Sequence, residues 1–410
     1  MTSETENRSP FLKPSTRTTL IAFVVIGLGT FAFQLASGHP ERAWLAYLVN
    51  FLVVSAVAHG GLIFSTIMHT TRARWAGPLS GLAESFAAFF PVSFVLFLVL
   101  FIGREHVFTW LHHDLHGKEV WLNLPFLFGR DAVGLLILYG LGLAYLYHAL
   151  WFKLDRGRPA SGLRLMLYTR WDRAGQDAGA WKRRQGVLSI LYMLAFAGVL
   201  SLIGYDLVMS MDPHWYSTLF GAYSFVKAIY VGFGGIIIMA ALLHLNPANG
   251  FGLADAQFHD MGKLFFAFCL VWADFFYCQF VVIWYGNIPE ETAYIIERTM
   301  AAPWNRLAWL VFVTGFILPF LILLNKRIKT RPKAMMAICT MTIAAIWLEH
   351  FLVLGPSFHP HAPGIPIGVA EALMALGFIG LLVLTVAGFL ERFPETVLEN
   401  GTIPAGKEAL

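Results

Sequence analysis

The residues of this chain best suited to chemistry are charged side chains inside long apolar runs. Asp274 lies in LVWADFFYCQF and Lys227 in AYSFVKAIY. Placing an ionisable group near a bilayer centre costs roughly 2.5–3.5 kcal/mol on insertion scales, so each needs a partner, water or a function. Both lie about 11–12 residues from the same end of their runs, roughly 16–18 Å at the helical rise. The two runs are consecutive, so the helices are antiparallel neighbours and the two groups could pair. A paired buried acid and amine have coupled protonation, the chemistry of a proton relay or gate. A static pair that fixes helix register is the other reading.

Further titratable groups sit nearer the ends of apolar runs. Glu349 and His350 are adjacent, Glu371 is at a similar level in the next run, and Asp206 is near the end of an earlier one. Successive helical residues point about 100° apart, so Glu349 and His350 cannot both face one partner. A carboxylate–imidazole cluster at that level could pass protons toward one surface; an interfacial hydrogen-bond cluster is the alternative. His59, Glu84, Asp131, His148 and His244 mark other runs or their ends. Haem b would need two histidines facing each other at one depth, and nothing in the spacing favours His59 and His148. His106, His112, His113 and His116 fall in one loop without the Cys or carboxylate pattern that would sharpen a zinc reading. Glu290 and Glu291 follow a Trp284-Tyr285 interface pair and read as exposed anions, either solvated or at a proton exit.

The elements that must position these groups follow from composition. Of 410 residues, 57% are hydrophobic and only 13% charged, about half the usual charged share of roughly 25%. That implies a polytopic membrane protein and excludes a disordered chain, a coiled coil and a secreted disulfide scaffold. The net charge of +4 gives no argument for nucleic acid. Three cysteines, Cys269, Cys278 and Cys339, form no CxxC or CxxCH motif, so there is no iron–sulfur or covalent haem signature. Ten stretches reach the roughly 20 apolar residues of a spanning helix. They lie near 18–37, 44–68, 83–103, 131–152, 186–210, 217–244, 261–285, 304–325, 334–354 and 366–390. None alternates as a barrel strand does, which predicts an all-α integral membrane fold. The first run reads as a retained helix, not a signal peptide.

With the N-terminus inside, Lys and Arg divide 22 inside to six outside, with Lys227 in a span. This excess predicts both termini in the cytoplasm, with tails at 1–16 and 391–410. The basic loop 153–185 suits anionic lipid or a partner. The outer loops at 104–130, 211–218, 286–292 and 355–366 suit packing against protein or the lipid interface. Glycine pairs Gly60-Gly61 and Gly234-Gly235, 174 residues apart in runs of the same direction, fit either a parallel repeat of spans two to five and six to nine or helix crossings.

The runs AWLAYLVNF, TRARWAGPLSGLAESF, DPHWYSTLFGAYSF, DMGKLFFAFCLVWADFFYCQFVVIWYGNIPEET and APWNRLAWL resemble those of the NrfD-like (polysulfide-reductase-type) membrane subunits. Within that family they look similar to the second such subunit of alternative complex III, a bacterial quinol:electron-carrier oxidoreductase. The resemblance covers about 40–355, and QFVVIWYGNIPEET is its most specific part. The resemblance implies two pseudo-symmetric four-helix bundles, at 44–210 and 211–354, with peripheral helices at 17–37 and 366–390. It implies a bacterial inner (cytoplasmic) membrane location. It also implies partners: a first NrfD-like subunit, an iron–sulfur subunit, haem c subunits and small membrane subunits. On this resemblance Lys227, Asp274, Glu349, His350 and Glu371 line a proton path, Glu290 and Glu291 shape its outer mouth, and His69 and Arg74 match the inner loop of the motif. The chain itself would hold no redox cofactor and act as a proton path and scaffold. Asp131 and Asp206 are the only acidic candidates for a quinol (menaquinol or ubiquinol) site. A quinol-binding subunit is therefore the alternative, and an independent secondary transporter a third reading.

Overall fold

The computed structural model describes residues 11–112, 115, 117–157, 160–175, 177–359 and 364–398. Every regular element among them is helical. Hydrocarbon offers the backbone no hydrogen-bond partners, so an apolar run that enters it must satisfy its own N–H and C=O groups as a helix. The α-helices are α1 (Pro14–Ala36), α2 (Pro40–Thr70), α3 (Gly77–Ser85), α4 (Phe90–Ile102), α5 (Arg104–Val107), α6 (Leu124–Lys153), α7 (Gly162–Ala174) and α8 (Ala178–Leu207). They continue as α9 (Leu219–His244), α10 (Asp255–Gly286), α11 (Pro289–Thr299), α12 (Trp304–Phe312), α13 (Leu318–Leu323), α14 (Lys326–Lys329), α15 (Pro332–Phe358) and α16 (Val369–Arg392). Ten helices or joined helices among the described residues are long and apolar enough to cross a membrane: α1, α2, α3–α4, α6, α8, α9, α10, α12–α13, α15 and α16. The chain is a multi-pass membrane protein.

Several helices outrun the apolar stretches that announce them. α8 starts at Ala178, not near 186, because Asp177 caps it through its side chain on Gly179 and Ala180. The cap lets a polar turn carrying Lys182, Arg183 and Arg184 join the helix. Two spans are interrupted. A 3₁₀ turn at Phe86–Phe89 precedes Pro91 between α3 and α4, and a π turn at Val313–Ile317 precedes Pro319 between α12 and α13. Both fit proline's missing N–H. The basic 153–185 segment contains α7, and the far loop after α10 contains α11; neither is visible as an apolar run.

α2 and α9 form the centre, packed on each other and nearly buried along their apolar lengths. α3, α8, α15 and α16 also touch α2, while α8, α10 and α15 touch α9. A Cβ on Gly60 would overlap the carbonyl of Ala228, and one on Gly232 would overlap Gly60. Gly60 thus serves a close backbone crossing. α1 packs mainly on α16, where Gly27 faces Gly377, and exposes Val25, Leu28 and Phe33. Ion pairs tie both ends of the helix stack. Arg17–Glu391 and Arg164–Glu395 lie on the side where α1 begins, called the near side below. Arg42–Glu371 and Arg130–Asp206 lie on the opposite, far side.

Candidate functional site

The deepest charge pair is Lys227 with Glu349. The ammonium donates to both carboxylate oxygens at 3.0 Å, and the Tyr223 hydroxyl donates to Oε1 at 2.7 Å. α9 presents Tyr223 and Lys227 four residues apart on one face, and α15 brings Glu349 against them. Glu349 is fully buried and Lys227 is 5% exposed. His350 Nδ1 is hydrogen-bonded to the Ile346 carbonyl at 2.8 Å and lies 3.9 Å from Glu349 Oε2.

This arrangement replaces the pairing of Lys227 with Asp274. α10 does pack on α9, but it buries Cys269, Trp272 and Ala273 and turns Asp274 outward. Asp274 is exposed and accepts a weak Cys278 thiol contact at 3.8 Å. Helix rotation, which spacing does not give, decides between the two acids.

The pair stands between two cavities. The larger, about 650 Å³, opens between α10, α12 and α15; its walls include Glu349, Tyr223, Phe276, Phe312, Trp309 and Asp274. Its volume falls in the range of roughly 300–1,000 Å³ typical of small-molecule sites. α11 covers its far end with Tyr294 and Arg298. Arg298 is held by the carbonyls of Val353 and Tyr294 and by Ser357, and its guanidinium lies 3.5 Å from the Tyr294 ring centre. Tyr294 stacks on Trp215 at 3.8 Å, and its burial pushes the phenol up to about 12. The smaller cavity, about 50 Å³, is lined by Ser55, His59, Ser224, Lys227 and His350 among others. Lys227 borders only the small cavity and Glu349 only the large one.

Two further polar clusters lie along α2. Glu84 is buried; both its oxygens accept from Lys153 Nζ at 2.8 Å, and Oε1 also accepts from Ser65 Oγ at 2.9 Å. Ser65 in turn meets the Tyr145 hydroxyl at 3.0 Å. Six residues along α2, about 9 Å at the helical rise, lies His59, buried and stacked on Tyr139 with ring centres 5.4 Å apart. Neither of its ring nitrogens has a hydrogen-bond partner among the described residues. Ser55 and Ser93 meet at 2.6 Å, and Ser93 meets Tyr139 at 2.8 Å.

The remaining sequence candidates scatter. Glu371 is remote from the Lys227 pair in its bonding: it takes Arg42 Nε at 2.5 Å, Arg42 Nη2 at 2.7 Å, Gln34 at 3.1 Å and the Gly368 N–H at 2.7 Å. That makes it a tie between α1, α2 and α16. Asp206 is clamped by Arg130 at 2.6 Å through two nitrogens and by Trp121 at 2.9 Å. Asp131 is fully buried with neither oxygen hydrogen-bonded among the described residues. Glu290 and Glu291 fall in the first turn of α11. His69 is half-buried beside Tyr145, and Arg74 is exposed. His148 packs on Trp181 with centres 4.8 Å apart and bonds Ala144, so it does not share His59's surroundings as a haem pair would. His244 accepts from the Leu253 N–H. His106 is exposed, and His113 and His116 lie outside the described residues. No group of three His, Cys, Asp or Glu among the described residues could hold a metal ion.

Sequence reasoning passed over Tyr223, Ser65, Tyr145 and Arg298. The first three are neutral residues that gain meaning only from a buried carboxylate nearby. Arg298 lies between the seventh and eighth apolar runs, and only the spacing Tyr294–Arg298 on a helix could have flagged it. No protein-family model matches the chain, and no curated protein matches it.

Proposed function

We propose that the chain is the second NrfD-like subunit of a respiratory quinol:electron-acceptor oxidoreductase of the alternative complex III type, carrying protons across the membrane without a redox cofactor of its own. The near side is then the cytoplasm and both termini lie there, in a bacterial cytoplasmic membrane. Residues 44–210 and 211–354 form two four-helix bundles, with α1 and α16 peripheral. Its partners are the first NrfD-like subunit, an iron–sulfur subunit, haem c subunits and small membrane subunits. The observation that carries the reading is the Lys227–Glu349 pair, buried within spanning helices α9 and α15 between two cavities. Intramembrane ionisable groups of this kind commonly mark proton relays. Glu84, with Lys153 and Ser65, supplies a protonatable group toward the cytoplasmic side.

The large apolar cavity supports a second reading, a quinol with its ring near Glu349 and Tyr223 and its tail between α10 and α12. The test is isolation of the chain from native membranes by an affinity tag. Haem c spectra and quinol oxidation should co-purify. In proteoliposomes, Glu349→Gln should lower the number of protons moved per electron. Loss of quinol oxidation together with loss of quinol binding would favour the second reading. Unchanged proton movement and quinol binding would defeat both.

A further inference from the structure

The small cavity joins two polar systems that the sequence keeps far apart. On one side is His59 of α2, 2% exposed, with both ring nitrogens lacking a hydrogen-bond partner among the described residues. On the other is Lys227 of α9, whose ammonium already bonds Glu349. Ser55, Ser224 and His350 also line the space. His350 Nδ1 is engaged by the Ile346 carbonyl. A cavity needs on the order of 10–15 Å³ and two to four polar partners to hold a water. At about 50 Å³, with two histidines, a lysine and two hydroxyls on its wall, this one meets both conditions. A buried imidazole without partners also costs free energy that a bound water recovers.

We infer that this cavity is a water site that transfers protons from His59 to the Lys227–Glu349 pair, linking spans two to five with spans six to nine. The inference rests on the proton-path reading. The step balances without electrons. A protonated His59 gives its ring proton to a cavity water. That water gives one of its own to Lys227 as the ammonium passes a proton along its hydrogen bond to Glu349. Imidazole becomes neutral, Glu349 becomes the acid, and Lys227 and the water end as they began. Glu349 then faces the large cavity, on the opposite side of the pair from the water. Lys227 borders the small cavity and Glu349 the large one, so the route proposed here runs through the hydrogen bond between them.

The test uses the intact complex in proteoliposomes, recording protons moved per electron for Glu349→Gln, His59→Phe and Ala56→Leu. Ala56 lines the cavity and has no hydrogen-bonding side chain, so leucine displaces water without removing a polar group. Phenylalanine at 59 keeps the stacking on Tyr139 and the tilted ring contact with Phe90. All three variants should show the same loss. If Glu349→Gln loses proton movement while Ala56→Leu and His59→Phe keep it, the transfer through this cavity is wrong and the proton path stands. If Glu349→Gln keeps it, both fall. A density map resolving ordered water supplies a readout independent of turnover and of variant folding. Water within hydrogen-bonding distance of His59 and Lys227 is expected, and a dry cavity overturns the inference.

Discussion

Replacing Lys227 by methionine tests the buried pair most directly. The substitution keeps the length of the side chain and removes its charge. Glu349 stays fully buried, keeps the Tyr223 hydrogen bond and loses both contacts at 3.0 Å. Breaking one side of a buried ion pair costs about 3–5 kcal/mol, because the remaining charge is uncompensated. Glu349→Met should cost a similar amount by stranding the ammonium. The double variant strands no charge. Its remaining penalty is the Tyr223 hydroxyl without its acceptor, about 1–3 kcal/mol. The two single losses sum to about 6–10 kcal/mol, so the double-mutant cycle should return a coupling of at least about 3 kcal/mol. The assay is equilibrium unfolding in mixed micelles followed by tryptophan fluorescence. Losses that add to within about 0.5 kcal/mol, the behaviour of independent sites, would refute the pairing. A normal coupling with unchanged proton movement in Glu349→Gln would instead leave the pair structural.

Arg42→Lys should lower stability by about 1–3 kcal/mol, since lysine cannot reproduce the two-nitrogen fork on buried Glu371, while protons moved per electron stay at the wild-type value. A loss of coupling in a well-folded Arg42→Lys complex would return Glu371 to the proton path. Gly60→Ala should abolish accumulation of folded protein, because its Cβ would overlap the Ala228 carbonyl at the α2–α9 crossing. Gly29→Ala, with open space around it on α1, should be neutral or stabilising by up to about 1 kcal/mol; equal expression of both variants would contradict the packing. Burial holds the His359 imidazole below its ordinary 6.5. As pH falls through that value the unfolded chain binds the proton first, so folded stability drops with acidification. Unfolding measured from pH 7 downward should show a shallower drop in His359→Gln, and an unchanged slope would assign the acid sensitivity to other groups.

The number and type of the spanning elements were legible in the sequence for a physical reason. A run of apolar residues long enough for the bilayer has one way to satisfy its backbone, so length and composition determine ten helices. The expense of Lys227, Glu349 and Glu371 in such runs was legible too. Their partners were not. Lys227 pairs with Glu349, 122 residues away, rather than with Asp274 on the next helix. α9 touches both α10 and α15, and the rotation of α10 about its own axis turns Asp274 outward. Glu371 looked like a member of the same cluster by depth, yet Arg42 and Gln34 hold it at another edge of the stack. His59 carried no distinguishing spacing, and its value comes from a cavity that α2 lines together with α8, α9 and α15. Sequence states how deep a side chain lies along its own helix. Which way it faces, and which distant helix meets it there, depends on how all ten spans pack, and that is decided only in the tertiary structure.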